Sequence, residues 1–147
     1  MALKRPESVL VVLYDEHHRV LVLQRDDDAE FWQSVTGTIE LGESPIQTAY
    51  REVAEETGIV LNPDVNAIHD CQTTNFYTIR KRWLHRYPPG TSQNKEHVFC
   101  AQIPADANIV LTEHLAFEWL DKASAMDKVW SSTNQEAIKL FVPEPHS

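Results

Sequence analysis

The sequence predicts an α+β architecture, a sandwich in which a mixed β-sheet carries helices on its faces. Three observations carry that expectation. Runs of strand length, rich in Val, Leu, Ile and aromatic residues, recur at 8–14, 19–25, 65–79, 97–103 and 116–120. Between the second and third runs, residues 44–58 show full helix punctuation. A later stretch, 132–142, spaces Ala137, Ile138 and Phe141 along one helical face.

The first two strands flank the polar tetrapeptide Asp15-Glu16-His17-His18 and read as a hairpin. The acidic run Asp26-Asp27-Asp28 reads as a solvated loop, and Phe31-Trp32-Gln33-Ser34-Val35 as a short strand turning into Gly37. In the next helix Ser44 is the expected N-cap, Pro45 the first helical residue, Gln47 the partner in a capping box and Gly58 the stop. Its buried stripe is expected at Ile46, Ala49 and Val53, with Tyr50 as a further candidate, opposite its acids. Asn62-Pro63-Asp64 marks a turn, and a polar loop with Tyr87-Pro88-Pro89-Gly90 separates the next two strands. Thr133 or Ser132 caps the last helix.

A chain of 147 residues suits one domain, 1–147, with one sizeable core. Its 42% hydrophobic and 24% charged content is that of a soluble globular protein. A formal charge of −9 argues against broad binding to nucleic acid or an anionic membrane. Residues 9–13 are too short a run for a membrane span or a signal peptide. Cys71 and Cys100 have no metal-binding spacing and read as buried, inert thiols, so a reducing cytoplasm is the expected location. Nothing in the sequence sets an oligomeric state.

One helix breaks the local rules. Glu52, Glu55 and Glu56 fall at i, i+3 and i+4, where like charges cost roughly 0.2–0.5 kcal/mol per pair. They also crowd the C-terminal half, next to the negative end of the helix dipole. Such a conflict inside a well-capped helix points to a site. A hard divalent cation resolves it, since Mg²⁺ takes oxygen ligands, keeps several waters and is held by a few carboxylates plus substrate phosphates. A solvated acidic helix end is the plain alternative.

Gly37, Glu43, Arg51, Glu52, Val53, Glu55, Glu56, Gly58 and Ile59 occupy every specified position of the signature of the Nudix hydrolases, which this segment resembles. The resemblance implies a Nudix-type α/β/α sandwich with a mixed sheet. It also implies Mg²⁺-dependent hydrolysis of a phosphoanhydride, with Mn²⁺ able to substitute. Metal ligands are then Glu52 and Glu56, with Glu55 close behind. Arg51 is expected to pair with Glu43 and hold the preceding loop on the helix, preorganising the carboxylates. Gly37 is expected to serve either a tight turn or a close backbone approach.

Further segments resemble the bacterial dihydroneopterin triphosphate pyrophosphatases: Lys4-Arg5-Pro6, Gln24-Arg25, 31–37, His85-Arg86-Tyr87, Thr112-Glu113-His114-Leu115, Trp119-Leu120 and Asn134. This implies a small-molecule triphosphate substrate, cleaved to a monophosphate and pyrophosphate in folate biosynthesis. It brings in Lys4, Arg25, Thr36 and Ser131 as substrate-binding candidates and Glu113 as metal ligand or general base. As isolated residues, Lys4 and Arg25 are more often solvated surface charges. The basic run Arg80-Lys81-Arg82 with His85-Arg86 either gathers triphosphate or is a solvated strand edge. Trp32, Tyr77, Trp83, Tyr87 and Phe117 are candidates to stack on a ring, against the commoner role of aromatics in a core. The competing functions are a housecleaning nucleoside triphosphate pyrophosphatase acting on dATP, a diadenosine polyphosphate hydrolase, and a non-catalytic ligand- or RNA-binding module. The intact set of acids speaks against the last.

Overall fold

A computed structural model describes residues 3–65 and 67–144. The strands are β1 Glu7–Tyr14, β2 Val20–Gln24, β3 Trp32–Gln33, β4 Val35–Thr38, β5 His69–Thr78, β6 Gln93–Gln102 and β7 Ala116–Leu120. The helices are α1 Pro45–Thr57, α2 Lys122–Lys128 and α3 Ser132–Phe141, with short 3₁₀ turns at Pro63–Val65 and Lys81–Arg86. Among the described residues the strands make one seven-stranded mixed sheet.

β1 organises the sheet. Its parallel partner β6 runs beside it from Glu7↔Lys95 to Tyr14↔Gln102. On the other edge β4 pairs antiparallel, Ser8↔Thr38 to Val11↔Val35, before β2 takes over at Tyr14↔Val20. A strand covered on both faces needs an unbroken apolar run, which Val9–Leu13 supplies. Odd positions Val9, Val11 and Leu13 pack with Ala49 and Val53 of α1. Even positions Leu10 and Val12 pack with Ala125 of α2 and with Ala137 and Ile138 of α3. The two clusters make the α/β/α sandwich, so the expected fold class holds.

The capping box of α1 forms as expected: Ser44 Oγ accepts from Gln47 N at 3.3 Å and Gln47 Oε1 from Ser44 N at 2.9 Å. Gly58 ends the helix at φ 77°. The hairpin turn is tied by Asp15, whose carboxylate accepts from the backbone N–H groups of His17 and Arg19 at 2.9 Å.

Several expectations are corrected. β5 starts at His69 rather than Val65, because Pro63-Asp64-Val65 closes a 3₁₀ turn with Val65 exposed; Asn66 lies outside the described residues. β6 begins four residues before the expected His97, drawn out by its pairing with the far end of β5. Residues 81–86 form a 3₁₀ turn, not a strand edge. The acidic run is no free loop: Asp28 pairs with Arg82 at 2.6 Å, and Asp27 with Arg25 at 2.6 Å and Arg86 at 3.4 Å. α2, capped by Asp121, was not anticipated. α3 is capped by Ser131, ahead of the expected Ser132 or Thr133. Cys100 is buried but Cys71 only half so, and the two free thiols lie 3.5 Å apart across β5 and β6. No helix among the described residues is long and apolar enough to cross a membrane.

Candidate active site

The acids of α1 do not share one solvated face. Glu56 falls at helical spacing from Ala49 and Val53 and is itself 3% exposed, on the face that packs against the sheet. The expectation of a buried stripe opposite the acids therefore fails for Glu56. Glu52 lies at the margin, with its side chain 12% exposed, and Glu55 turns outward at 55%. The reason is angular: on a 100° step, i, i+3 and i+4 spread wide enough to run from core to solvent.

Glu56 is costly to bury. Both carboxylate oxygens are buried without a well-formed hydrogen bond among the described residues, beside the Thr36 backbone, Glu52 and His114. Burial, then the adjacent Glu52, pushes its carboxyl well above the usual range, and the charge of Glu113 adds to the effect. Burial raises Glu52 as well, against the pull of Arg51. Two unsatisfied buried oxygens of this kind cost stability unless a ligand completes them. A divalent cation fits that need by its preference for oxygen donors. No group of three or more His, Cys, Asp or Glu side chains among the described residues is arranged to hold a metal ion by itself. The arrangement is a one-sided carboxylate platform, as suits an ion that keeps water and phosphate ligands.

Arg51 organises the platform. Its Nε and Nη2 grip Glu43 at 2.7 and 2.8 Å, its Nη1 meets Glu52 at 2.5 Å and Glu55 at 3.2 Å, and its Nη2 also donates to Thr38 O at 3.1 Å. Thr48 Oγ1 donates to Glu43 at 2.6 Å. One guanidinium thus ties the loop after β4 to the helix and orients two candidate ligands, as the sequence suggested. The Arg51 hydrogen bonds hold the Glu43 carboxyl down to about 2. A carboxyl depressed on folding contributes stability that is present above its unfolded value near 4.5 and is lost as pH falls towards 2. Glu43→Gln should therefore lower stability by about 1–3 kcal/mol at pH 7. Acid titration of unfolding checks this: the gap between variant and wild type should close towards pH 2.

Gly37 serves close approach and not a turn. It lies within β4, and a Cβ there would overlap the carboxylate of Glu52. Gly37→Ala should keep the fold but swing Glu52 aside. A misplacement of about 1 Å costs on the order of 10²-fold in rate. An assay beside a thermal melt checks it: kcat/KM falls while the melting temperature stays near that of wild type.

The loop before β7 completes the site. Val110 N donates to Thr57 O at 2.8 Å, and Thr112 Oγ1 to Glu55 O at 2.8 Å, so the loop docks on carbonyls at the end of α1. Glu113 and His114 are carried in with it. His114 Nε2 lies 3.6 Å from Glu56 Oε1, while burial, then Arg25, holds its imidazole below its ordinary value. Sequence reasoning passed over His114, although it sits in the Thr112–Leu115 stretch already singled out.

A cavity of about 1140 Å³ joins these groups to the rest of the predicted set. Lys4, Arg25, Thr36, Ser131, Glu52, Glu55, Glu56 and Glu113 all line it. Lys4 is exposed at the rim of the cavity, where desolvation, then Arg86 and Arg25, keeps its ammonium below its usual value. Arg25 is fixed by a two-point pair with Asp27, donates to Gln33 Oε1 at 3.0 Å and lies 4.5 Å over the Trp83 ring. Thr36 Oγ1 donates to Val9 O at 2.9 Å, and Ser131 Oγ is engaged as the α3 cap. Of the aromatic candidates Tyr77, Trp83 and Tyr87 line the cavity, Trp32 is in the core and Phe117 is half-exposed away from it. Trp130, stacked on Phe31 at 5.1 Å, lines it too and was missed.

Comparison with known proteins gives concordant results. The NUDIX domain model matches residues 4–141. The dihydroneopterin triphosphate diphosphatase of Escherichia coli K12 is 49% identical over 142 residues, covering 95% of this chain and 93% of that protein. Its namesake in Haemophilus influenzae is 41% identical, covering 97% and 90%. The solved structure of the E. coli dihydroneopterin triphosphate pyrophosphohydrolase superposes with a TM-score of 0.92 at 46% identity, covering 97% of this chain and 98% of that one. Since the domain match spans the sheet, the acid-bearing helix and the docked loop together, the chain belongs to the Nudix family.

Proposed function

We propose that this Nudix hydrolase is a divalent-metal-dependent pyrophosphohydrolase, with Mg²⁺ as the ion, that cleaves 7,8-dihydroneopterin triphosphate to the monophosphate and pyrophosphate. The observation that carries this reading is one shared cavity with a carboxylate platform, a basic flank and a polar, aromatic-lined remainder. The similarity to the E. coli enzyme over nearly the whole chain supports the choice of substrate.

In this reading Glu52 and Glu56 hold the metal, with Glu55 and Glu113 as further ligands. The bound ion would neutralise phosphate charge and activate water for attack at an internal phosphorus. Arg51 acts through the carboxylates it orients, with Glu43 as its anchor. Lys4 and Arg25 meet the triphosphate, whose charge an acidic chain must offset locally. Thr36 and Ser131 place hydroxyls along the substrate path. Gly37 leaves room for Glu52, and Gly58 lets α1 end where the loop bearing Glu113 docks.

Turnover on dihydroneopterin triphosphate, dATP and diadenosine tetraphosphate tests the substrate, and reaction in ¹⁸O-water tests the bond cleaved. The expected result is fastest turnover of the pterin compound, with pyrophosphate as first product. Orthophosphate as first product excludes the reading and favours a terminal phosphatase. Preference for dATP favours the housecleaning alternative.

A further inference from the structure

We propose that Glu96 is the specificity-determining residue for the substrate ring, accepting two hydrogen bonds from the adjacent N3–H and 2-amino groups of a 2-amino-4-oxopyrimidine edge. The inference rests on the reading of the substrate as a pterin triphosphate and extends it to the group that selects the ring.

Glu96 breaks the pattern of its strand. Even positions of β6 face α3, and there Val98 and Cys100 are buried among apolar groups. Pattern asks for an apolar residue at 96, yet the position holds a carboxylate that is 4% exposed. Among the described residues it accepts only from Asn75 Nδ2, at a long 3.4 Å, and from the Thr133 hydroxyl, and no cation there offsets it. A buried carboxylate so weakly satisfied destabilises the free protein. Its carboxyl is raised by burial accordingly.

Position gives the acid a use. Glu96 lines the same cavity as Glu52 and Glu56. In the sheet Thr38 pairs with Ser8, and Ser8 with Glu96, so β4, β1 and β6 lie side by side. Two strand spacings, on the order of 10 Å, therefore separate the β4 end of the cavity from Glu96. That span accommodates a chain of phosphates at one end and a ring at the other. The floor beside Glu96 is polar and fixed: Asn94 Nδ2 donates to Ser8 Oγ at 2.7 Å and to Tyr77 OH at 3.1 Å. Tyr77 and Trp130 line the cavity around it.

A carboxylate offers two acceptor oxygens in one plane, which matches two adjacent donors. Pterin and guanine rings present that pair. Adenine presents a donor beside a ring acceptor, which would face a carboxylate lone pair. Glu96 thus favours pterin and guanine over adenine, and by a larger factor than packing on an aromatic wall supplies.

Calorimetric binding of 7,8-dihydroneopterin triphosphate, dGTP and dATP, with EDTA to hold turnover off, tests the proposal on wild type, Glu96→Gln and Glu96→Asp. Wild type should bind the first two more tightly than dATP. Glu96→Gln replaces one acceptor by a donor and should weaken the first two by about 10–100-fold. It should leave dATP unchanged or tighter, with a melting temperature no lower than wild type. Equal loss for all three ligands, or a ring preference that survives the substitution, overturns the proposal. Should Glu96→Gln fail to fold, Glu96→Asp decides: it keeps the charge one methylene farther off and must still weaken the first two ligands relative to dATP. Loss of ring discrimination in Glu96→Gln, beside a wild type that does not turn over the pterin triphosphate, sinks the substrate reading alone and leaves Glu96 as a reader of guanine-type rings.

Discussion

Glu56→Gln should abolish most of the activity and should not weaken the fold. Loss of a group that merely supports a metal ligand costs roughly 10–100-fold, so loss of a buried ligand carboxylate should exceed that range. Stability should hold or rise, because the substitution removes a buried acid that is poorly hydrogen-bonded and repels Glu52. The decisive companion measurement is the melting temperature with and without Mg²⁺. An ion that binds only the folded state stabilises it by mass action. Wild type should gain stability on adding Mg²⁺, and Glu56→Gln should gain little. Turnover like that of wild type, or an undiminished gain with Mg²⁺, would refute the site.

Glu113→Gln should lower kcat by about 10²–10⁴-fold with little change in KM, the pattern of an interaction made in the transition state. The motive is geometric. Thr112 and Val110 pin the loop to carbonyls of Glu55 and Thr57, and the charge of Glu113 reaches Glu56. The same substitution separates two roles by titration with Mg²⁺. If Glu113 is a ligand, excess metal restores much of the rate; if it is the base, excess metal does not. A variant that matches wild type at every metal concentration makes Glu113 a surface acid and moves the base to Glu55.

Local physics was the legible part of the molecule. The capping box of Ser44 and Gln47, the stop at Gly58 and the pairing of Arg51 with Glu43 all follow from residues within a few turns of one another. Helix geometry turns such spacing directly into contact. The same logic misplaced the buried stripe, because spacing shows that Glu56 neighbours Glu52 but not which side of the helix the sheet will cover. Ala49 and Val53 drag Glu56 inward, and that burial makes it costly without a ligand.

Contacts distant in sequence were out of reach. Asn134, one hundred residues from Ser34, accepts from its backbone N–H at 2.9 Å and donates to its hydroxyl at 3.0 Å. That link holds the start of α3 against the turn between β3 and β4. Arg25 looked like an ordinary surface charge until Asp27, Gln33 and Trp83 closed around it.

The sequence by itself determined the strand and helix inventory in outline, the acid-bearing helix with its caps, and the class of chemistry, because each depends on residues close along the chain. Only the tertiary structure decided that Gly37 makes room for Glu52, that His114 sits by Glu56 and that Glu96 shares a cavity with the acids of α1. Those facts depend on the parallel pairing of β1 with β6 and on the loop docked at the end of α1. Register and docking are set by the summed burial of two apolar faces, a property of the whole sheet that no single segment carries.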